Sequence, residues 1–213
     1  MAPDLRGFGA SDKHVVDPSK HYDMMAQARS VAALITELGL VLEITPPVPG
    51  AGTRIFGEQP LREFWYQAFH RLALLEDLID GTPDAVRAYL RYFWTHWSGP
   101  DFELPEADLE HLVCVYSPPR AFTASINGYR AGGGLGAKAK AEAVPAPGDR
   151  LGTPTIVLWP EFDPLFPREW SDRLDDFFSR VMLRFVDGVG HFVPLECPEV
   201  MAEEILATVA SEG

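Results

Sequence analysis

Two stretches near the end of the chain decide how the rest is read: Leu158-Trp159-Pro160-Glu161-Phe162-Asp163-Pro164 and Val189-Gly190-His191-Phe192-Val193-Pro194. Each follows a short apolar run of strand length, Thr155 to Trp159 in one case and Val181 to Phe185 in the other. Trp170 to Phe178 between them reads as a helix, and a closing helix begins with Pro198 as its first residue, where the missing N–H costs nothing. Strand, helix, strand, helix in that order implies parallel pairing. A carboxylate leaving one parallel strand and an imidazole leaving the next then share the carboxyl edge of a sheet, where open α/β folds bind ligands.

That placement suits a definite chemistry. Asp163 can fix the tautomer of an imidazole and stabilise its protonated form, while His191 takes a proton from water as a general base. The order along the chain, acid first and histidine second, fits as well. Taken singly, each residue also has a plainer reading: aspartate before Pro164 opens turns, and Gly190-His191 makes a loop whose histidine is satisfied by its neighbours.

Working outward, residues 1–13 read as a strand stub that breaks into a turn at Gly7 and Gly9. From Tyr22 to Leu38 the apolar positions Met25, Ala28, Val31, Ala32, Ile35 and Leu38 keep helical spacing, and Gly39 stands where a C-terminal cap belongs. Val41 to Thr45 reads as a buried strand stopped by Pro46, Pro47 and Pro49. Between Pro60 and Arg130 the pattern is helical throughout, with Phe64 to Ile79 as one segment, then Tyr89 to Trp97, then Glu106 to Tyr116. Gly132-Gly133-Gly134, Gly136 and the alanine- and proline-rich run from Lys138 to Gly148 look like a flexible connector.

With these elements in view, Pro3-Asp4-Leu5-Arg6-Gly7-Phe8-Gly9-Ala10-Ser11-Asp12-Lys13 resembles a signature stretch of the α/β hydrolases, in the branch of epoxide hydrolases and haloalkane or fluoroacetate dehalogenases. Nearly the whole chain is covered by the resemblance. It implies an α/β-hydrolase fold with an inserted α-helical cap, organised as partial core in residues 1–50, helical cap and connector in 51–148, and C-terminal core in 149–213. Epoxide hydrolases of this branch use two cap tyrosines to hydrogen-bond the epoxide oxygen, and Tyr66 in Trp65-Tyr66-Gln67 and Tyr129 in Gly128-Tyr129-Arg130 resemble those positions. Phenol donors suit an oxygen that becomes an alkoxide, although both tyrosines also read as packing residues of an aromatic lid. Dehalogenases of the branch favour tryptophan or histidine as halide ligands, and Trp65, Gln67 and His70 keep that substrate class open.

The sequence departs from the family at its nucleophile. Where the family places a strand, the nucleophile elbow and the following helix, this sequence has only Gly39 and Leu40 between the helix ending at Leu38 and the strand at Val41. No Gly-x-Ser-x-Gly and no aspartate equivalent of it occurs anywhere, and the N-terminal strands with the family's His-Gly segment before Pro3 are missing too. Ser11 follows glycines, but in the family's Arg-Gly turn rather than at an elbow. An incomplete parallel sheet is therefore expected, and an uncovered apolar edge at Val41 predicts dimerisation or poor solubility.

Composition narrows the partners. A net charge of -13 repels phosphate backbones and anionic lipid, so neither nucleic acid nor a membrane surface is expected. No apolar stretch reaches membrane-spanning length and the N-terminus has no leader pattern, which makes cytoplasmic residence the expectation. Cys114 and Cys197 read as free thiols in packed surroundings. His14, His21, His70, His96 and His111 have no ligand-like spacing, so no metal and no organic cofactor is expected. Two functions remain: an epoxide-opening or halide-displacing hydrolase acting on a small molecule through His191 and Asp163, with Tyr66, Tyr129 and Trp65 toward the substrate, or a non-hydrolytic, ligand-binding homologue.

Overall fold

A computed structural model describes residues 5, 7–13, 16–18, 22, 42–44, 49–131 and 134–211. The helix expected over 22–38 lies outside the described residues apart from Tyr22. Three parallel strands form the sheet among the described residues, β1 (Leu42–Ile44), β2 (Thr155–Pro160) and β3 (Val181–Val186), in that spatial order. Leu42 pairs with Thr155, and Thr155 to Pro160 pair in step with Val181 to Val186.

β2 is buried along its whole length, as expected of an inner parallel strand covered on both faces. β3 is only half-buried. Ile156 and Leu158 of β2 pack with Val186, Val189, Val193 and Cys197, and Val200 and Met201 close over them. Those last two lie on the closing helix, which spans Pro198–Ser211 and begins at the proline that its pattern marked. Cys197 is in this core, whereas Cys114 is exposed, so packed surroundings hold for one thiol and not the other.

The chain divides into two compact units. The sheet unit takes the described residues within Gly39–Glu63, His96–Phe102 and Leu135–Gly213; the helical unit takes those within Met1–Leu38, Phe64–Thr95 and Glu103–Gly134. The helices, in chain order, are α1 (Glu58–Glu63), α2 (Trp65–Phe69), α3 (Leu74–Ile79), α4 (Pro83–His96), α5 (Glu106–Tyr116), α6 (Ala121–Arg130), α7 (Gly134–Ala141), α8 (Leu174–Phe177), α9 (Val193–Glu196) and α10 (Pro198–Ser211).

The helices depart from the sequence pattern at three places. The single helical segment expected from Phe64 to Ile79 is broken, with α2 ending at Phe69 and α3 starting at Leu74. Arg130 explains how the break is tolerated: its Nε donates to the His70 carbonyl at 2.9 Å and its Nη2 to the Leu72 carbonyl at 3.4 Å, replacing helical bonds. Part of the expected connector is α7, because Ala-Lys-Ala-Lys-Ala is a strong helix former despite the glycines before it. The helix expected over Trp170–Phe178 is a 3-10 helix, Arg168–Arg173, followed by the single turn of α8.

The helical unit has its own core. Leu75 and Ile79 of α3, Val86 of α4, and Phe122 and Ile126 of α6 are buried together, flanked by Phe69, Tyr89, Tyr116 and Tyr129. Among the described residues no helix is long and apolar enough to cross a membrane.

Candidate functional site

Beyond the last paired residues of β2 and β3, the two strands remain laced together. Glu161 N–H donates to the Val186 carbonyl at 3.0 Å and Phe162 N–H to the Val189 carbonyl at 2.9 Å, so the loops bearing Asp163 and His191 leave the sheet side by side. Trp159, buried at the end of β2, donates its indole N–H to the Phe166 carbonyl at 2.9 Å and folds the first loop back on itself.

That fold turns the Asp163 side chain fully inward. Its Oδ1 accepts the backbone N–H groups of Leu165 at 2.8 Å and Phe166 at 3.2 Å, an Asx-turn arrangement. Its Oδ2 lies 3.0 Å from His191 Nδ1. A carboxylate only accepts, so this contact places the imidazole proton on Nδ1 and leaves a lone pair on Nε2. The His191 side chain keeps 26% of its surface exposed, which leaves the ring open to a reactant.

The second loop is fitted against the segment after α4. His191 N–H donates to the Trp97 carbonyl at 2.7 Å, and the Trp97 and His191 rings meet edge to face with centroids 5.4 Å apart. Gly188 takes φ 76°, a left-handed turn that glycine adopts without steric cost, and its N–H is held by Glu161 Oε2 at 2.9 Å. Gly190 has no room for a Cβ, which would stand 2.2 Å from the Trp97 carbonyl oxygen and 2.6 Å from Gly99 N.

Tyr66 and Tyr129 come together in the helical unit, on α2 and α6, with rings edge to face and centroids 5.6 Å apart. Burial pushes the Tyr66 phenol above its ordinary value, with the neighbouring Tyr129 adding to the shift, and burial raises Tyr129 as well. Both are firmly protonated donors. Trp65, next in sequence, faces differently: it is 40% exposed, stacks on Phe93 at 5.8 Å, and lines an apolar groove of about 580 Å3 with Phe69, Leu78, Tyr89 and Tyr92. The structure thus brings Asp163 to His191 in one unit and Tyr66 to Tyr129 in the other, with Trp65 apart from the phenol pair.

Two further residues support these groups: Glu196, which the sequence pattern did not single out, and His70, which it named only as a halide-ligand candidate. Glu196 accepts three backbone N–H groups, those of Gly99, Gly190 and Phe192. His70, buried against Tyr129 at a ring separation of 4.7 Å, bonds the Tyr89 hydroxyl through Nε2 at 2.7 Å, and its Nδ1 has no hydrogen-bond partner among the described residues. Burial, then the nearby Arg130 charge, lowers its pKa from 6.5 to about 4. The one signal available for Glu196 was its spacing from the Gly190-His191-Phe192 turn, since a carboxylate one helical turn past three successive N–H groups is within reach of them. Among the described residues no group of three or more His, Cys, Asp or Glu is arranged to hold a metal ion.

No protein-family model matches this sequence, and no curated protein matches it. Solved structures do. The epoxide hydrolase CorEH is 23% identical, with 99% of this chain and 81% of that one aligned at a TM-score of 0.74. A structure from hot-environment metagenomes, described as an epoxide hydrolase of the alpha/beta hydrolases superfamily, is 21% identical over 96% of this chain and 80% of its own, at 0.67. A protein from Salmonella enterica, provisionally described as an acyltransferase, is 18% identical over 98% and 78%, at 0.76. With the parallel register of β1, β2 and β3, this likeness establishes that the chain has an α/β-hydrolase fold, with a short parallel sheet among its described residues.

Proposed function

We propose that the chain is a hydrolase of the epoxide hydrolase type, in which His191 activates water. The observation that carries the reading is the 3.0 Å contact from His191 Nδ1 to the fully buried Asp163 carboxylate, which leaves Nε2 as the base. In the step envisaged, a water oxygen bonds to an epoxide carbon as the ring C–O bond breaks. The water proton passes to Nε2, and the epoxide oxygen takes a proton from a phenol, giving a vicinal diol; the imidazolium then gives its proton to solvent and the phenolate takes one back, restoring both groups. Tyr66 and Tyr129 are assigned as those phenols, because burial keeps both as donors and ring opening concentrates charge on the oxygen they would meet. A halide displaced from an activated carbon is the second substrate of the same reading, with Trp65 toward the leaving group.

The absence of a nucleophile elbow from the 213 residues favours direct attack by water over a covalent ester, and a modest rate. The same absence supports a second reading, a ligand-binding protein that does not hydrolyse. The Salmonella neighbour is a reminder that this fold carries more than one chemistry. Turnover of a styrene-type epoxide and of fluoroacetate by the purified chain and by His191→Gln separates the two. Hydrolysis lost in the variant supports the enzyme; equal background in both removes it and leaves the ligand-binding protein.

A further inference from the structure

We propose that Glu196 is a positioning residue for His191, clamping the loop that carries the imidazole onto the segment Trp97 to Gly99; the inference rests on His191 being the base. Its Oε2 accepts Gly99 N–H at 2.7 Å and Gly190 N–H at 2.8 Å, and its Oε1 accepts Phe192 N–H at 3.0 Å. Three successive amides are therefore held, the outer two by Glu196 and the middle one, that of His191 itself, by the Trp97 carbonyl at 2.7 Å. The main chain of His191 is fixed from both sides, while Asp163 fixes the rotation of its ring.

Steric fit points the same way. A Cβ on Gly99 would stand 2.2 Å from the Gly188 carbonyl oxygen and 3.2 Å from Glu196 Oε2, and a Cβ on Gly190 would collide with the main chain of residues 97–99. Two stretches of backbone therefore lie in direct contact with one carboxylate sealing the seam. A carboxylate is the side chain that meets three converging donors, because it has two acceptor oxygens and no hydrogens, whereas an amide would turn its own N–H groups toward at least one of them. The stem of Glu196 is anchored in turn. Its N–H donates to the Phe192 carbonyl at 2.9 Å, and the next residue, Cys197, is in the sheet core. A helix cap alone would account for the Phe192 bond but not for those to Gly99 and Gly190.

The test uses the full chain with 15N-labelled histidine. Glu196→Gln should lower kcat toward a styrene-type epoxide about 10- to 100-fold with KM within about threefold, since a displaced base costs the chemical step and not binding. It should also abolish the hydrogen-bonded Nδ1–H signal of His191, and Glu196→Asp, which keeps the charge but shortens the reach, should recover part of both. A Glu196→Gln protein with the wild-type signal and wild-type kcat overturns the proposal. If the wild-type chain turns nothing over, the hydrolase reading fails while the imidazole signal still decides the clamp. Should Glu196→Gln not fold, amide exchange in the wild type decides instead. The amides of Gly99, Gly190 and Phe192 should exchange together, about tenfold or more slower than open-loop amides; independent, fast exchange overturns the clamp.

Discussion

Asp163→Asn is the substitution whose outcome the geometry fixes most tightly, because the new amide has only one sensible orientation. At the Oδ1 position two backbone N–H groups converge, from Leu165 at 2.8 Å and Phe166 at 3.2 Å, so the amide oxygen must take that place. The NH2 then occupies the Oδ2 position, 3.0 Å from His191 Nδ1, and donates to it. Nδ1 becomes an acceptor, the ring proton moves to Nε2, and the lone pair needed to activate water is gone. All three hydrogen bonds survive, so stability should change by less than about 1 kcal/mol, while kcat should fall by a factor on the order of 10⁴ if the imidazole is the base. Asp163→Ala is the complementary case. It strands two buried N–H groups and the imidazole N–H at about 1 to 3 kcal/mol each, or roughly 3 to 9 kcal/mol in all, a large part of the ~5 to 15 kcal/mol that holds a domain together. Epoxide turnover, urea unfolding and the 15N imidazole spectrum measure the three effects. Turnover by Asp163→Asn within tenfold of wild type, or a spectrum that keeps the proton on Nδ1, would refute the reasoning.

Gly190→Ala should destabilise the protein by about 1 to 3 kcal/mol, because every atom its Cβ meets is backbone and none can rotate away, and urea denaturation at constant m-value measures it. Tyr66→Phe and Tyr129→Phe each remove a buried donor with little change in shape, and each should lower epoxide kcat about 10²-fold if the phenols meet the developing alkoxide, with thermal unfolding as the control. His70 gives a pH prediction. With its pKa lowered from 6.5 to about 4 in the folded state, the unfolded chain binds the extra proton between those values, so stability is full above pH 6.5 and falls as the pH drops toward 4. That contribution reaches about 3 kcal/mol, and His70→Gln should flatten the acid limb of a stability-versus-pH curve; an unchanged slope rejects the buried neutral imidazole.

The fold was legible where local pattern and tertiary environment agree. β2 is a continuous apolar run because both its faces are covered, and Pro198 marks the start of α10 because a first-turn proline loses no hydrogen bond. The break between α2 and α3 was illegible for the opposite reason. The His70 and Leu72 carbonyls are satisfied by Arg130 from a helix some sixty residues later, and periodicity carries no trace of that. In the site, Asp163 and His191 could be read as a pair because the contact is made by their side chains and their strands are adjacent. Glu196 could not, because its partners are main-chain N–H groups that every residue but proline has. The close approach of Gly99 and Gly190 was hidden likewise, since a glycine chosen for contact looks the same in sequence as one chosen for a turn.

The construction of the pair also bears on the missing elbow. Among the described residues, the groups seen to hold Asp163 and His191 belong to the sheet unit: Trp159 and the Leu165 and Phe166 amides around the carboxylate, and Trp97, Gly99 and Glu196 around the histidine loop. A base oriented by local hydrogen bonds keeps its tautomer whether or not a nucleophile stands before it. The proposed direct activation of water asks of the pair only this orientation, which the described contacts provide. The geometry of the pair and the rate it produces can accordingly be tested apart, the first by the imidazole spectrum and the second by turnover.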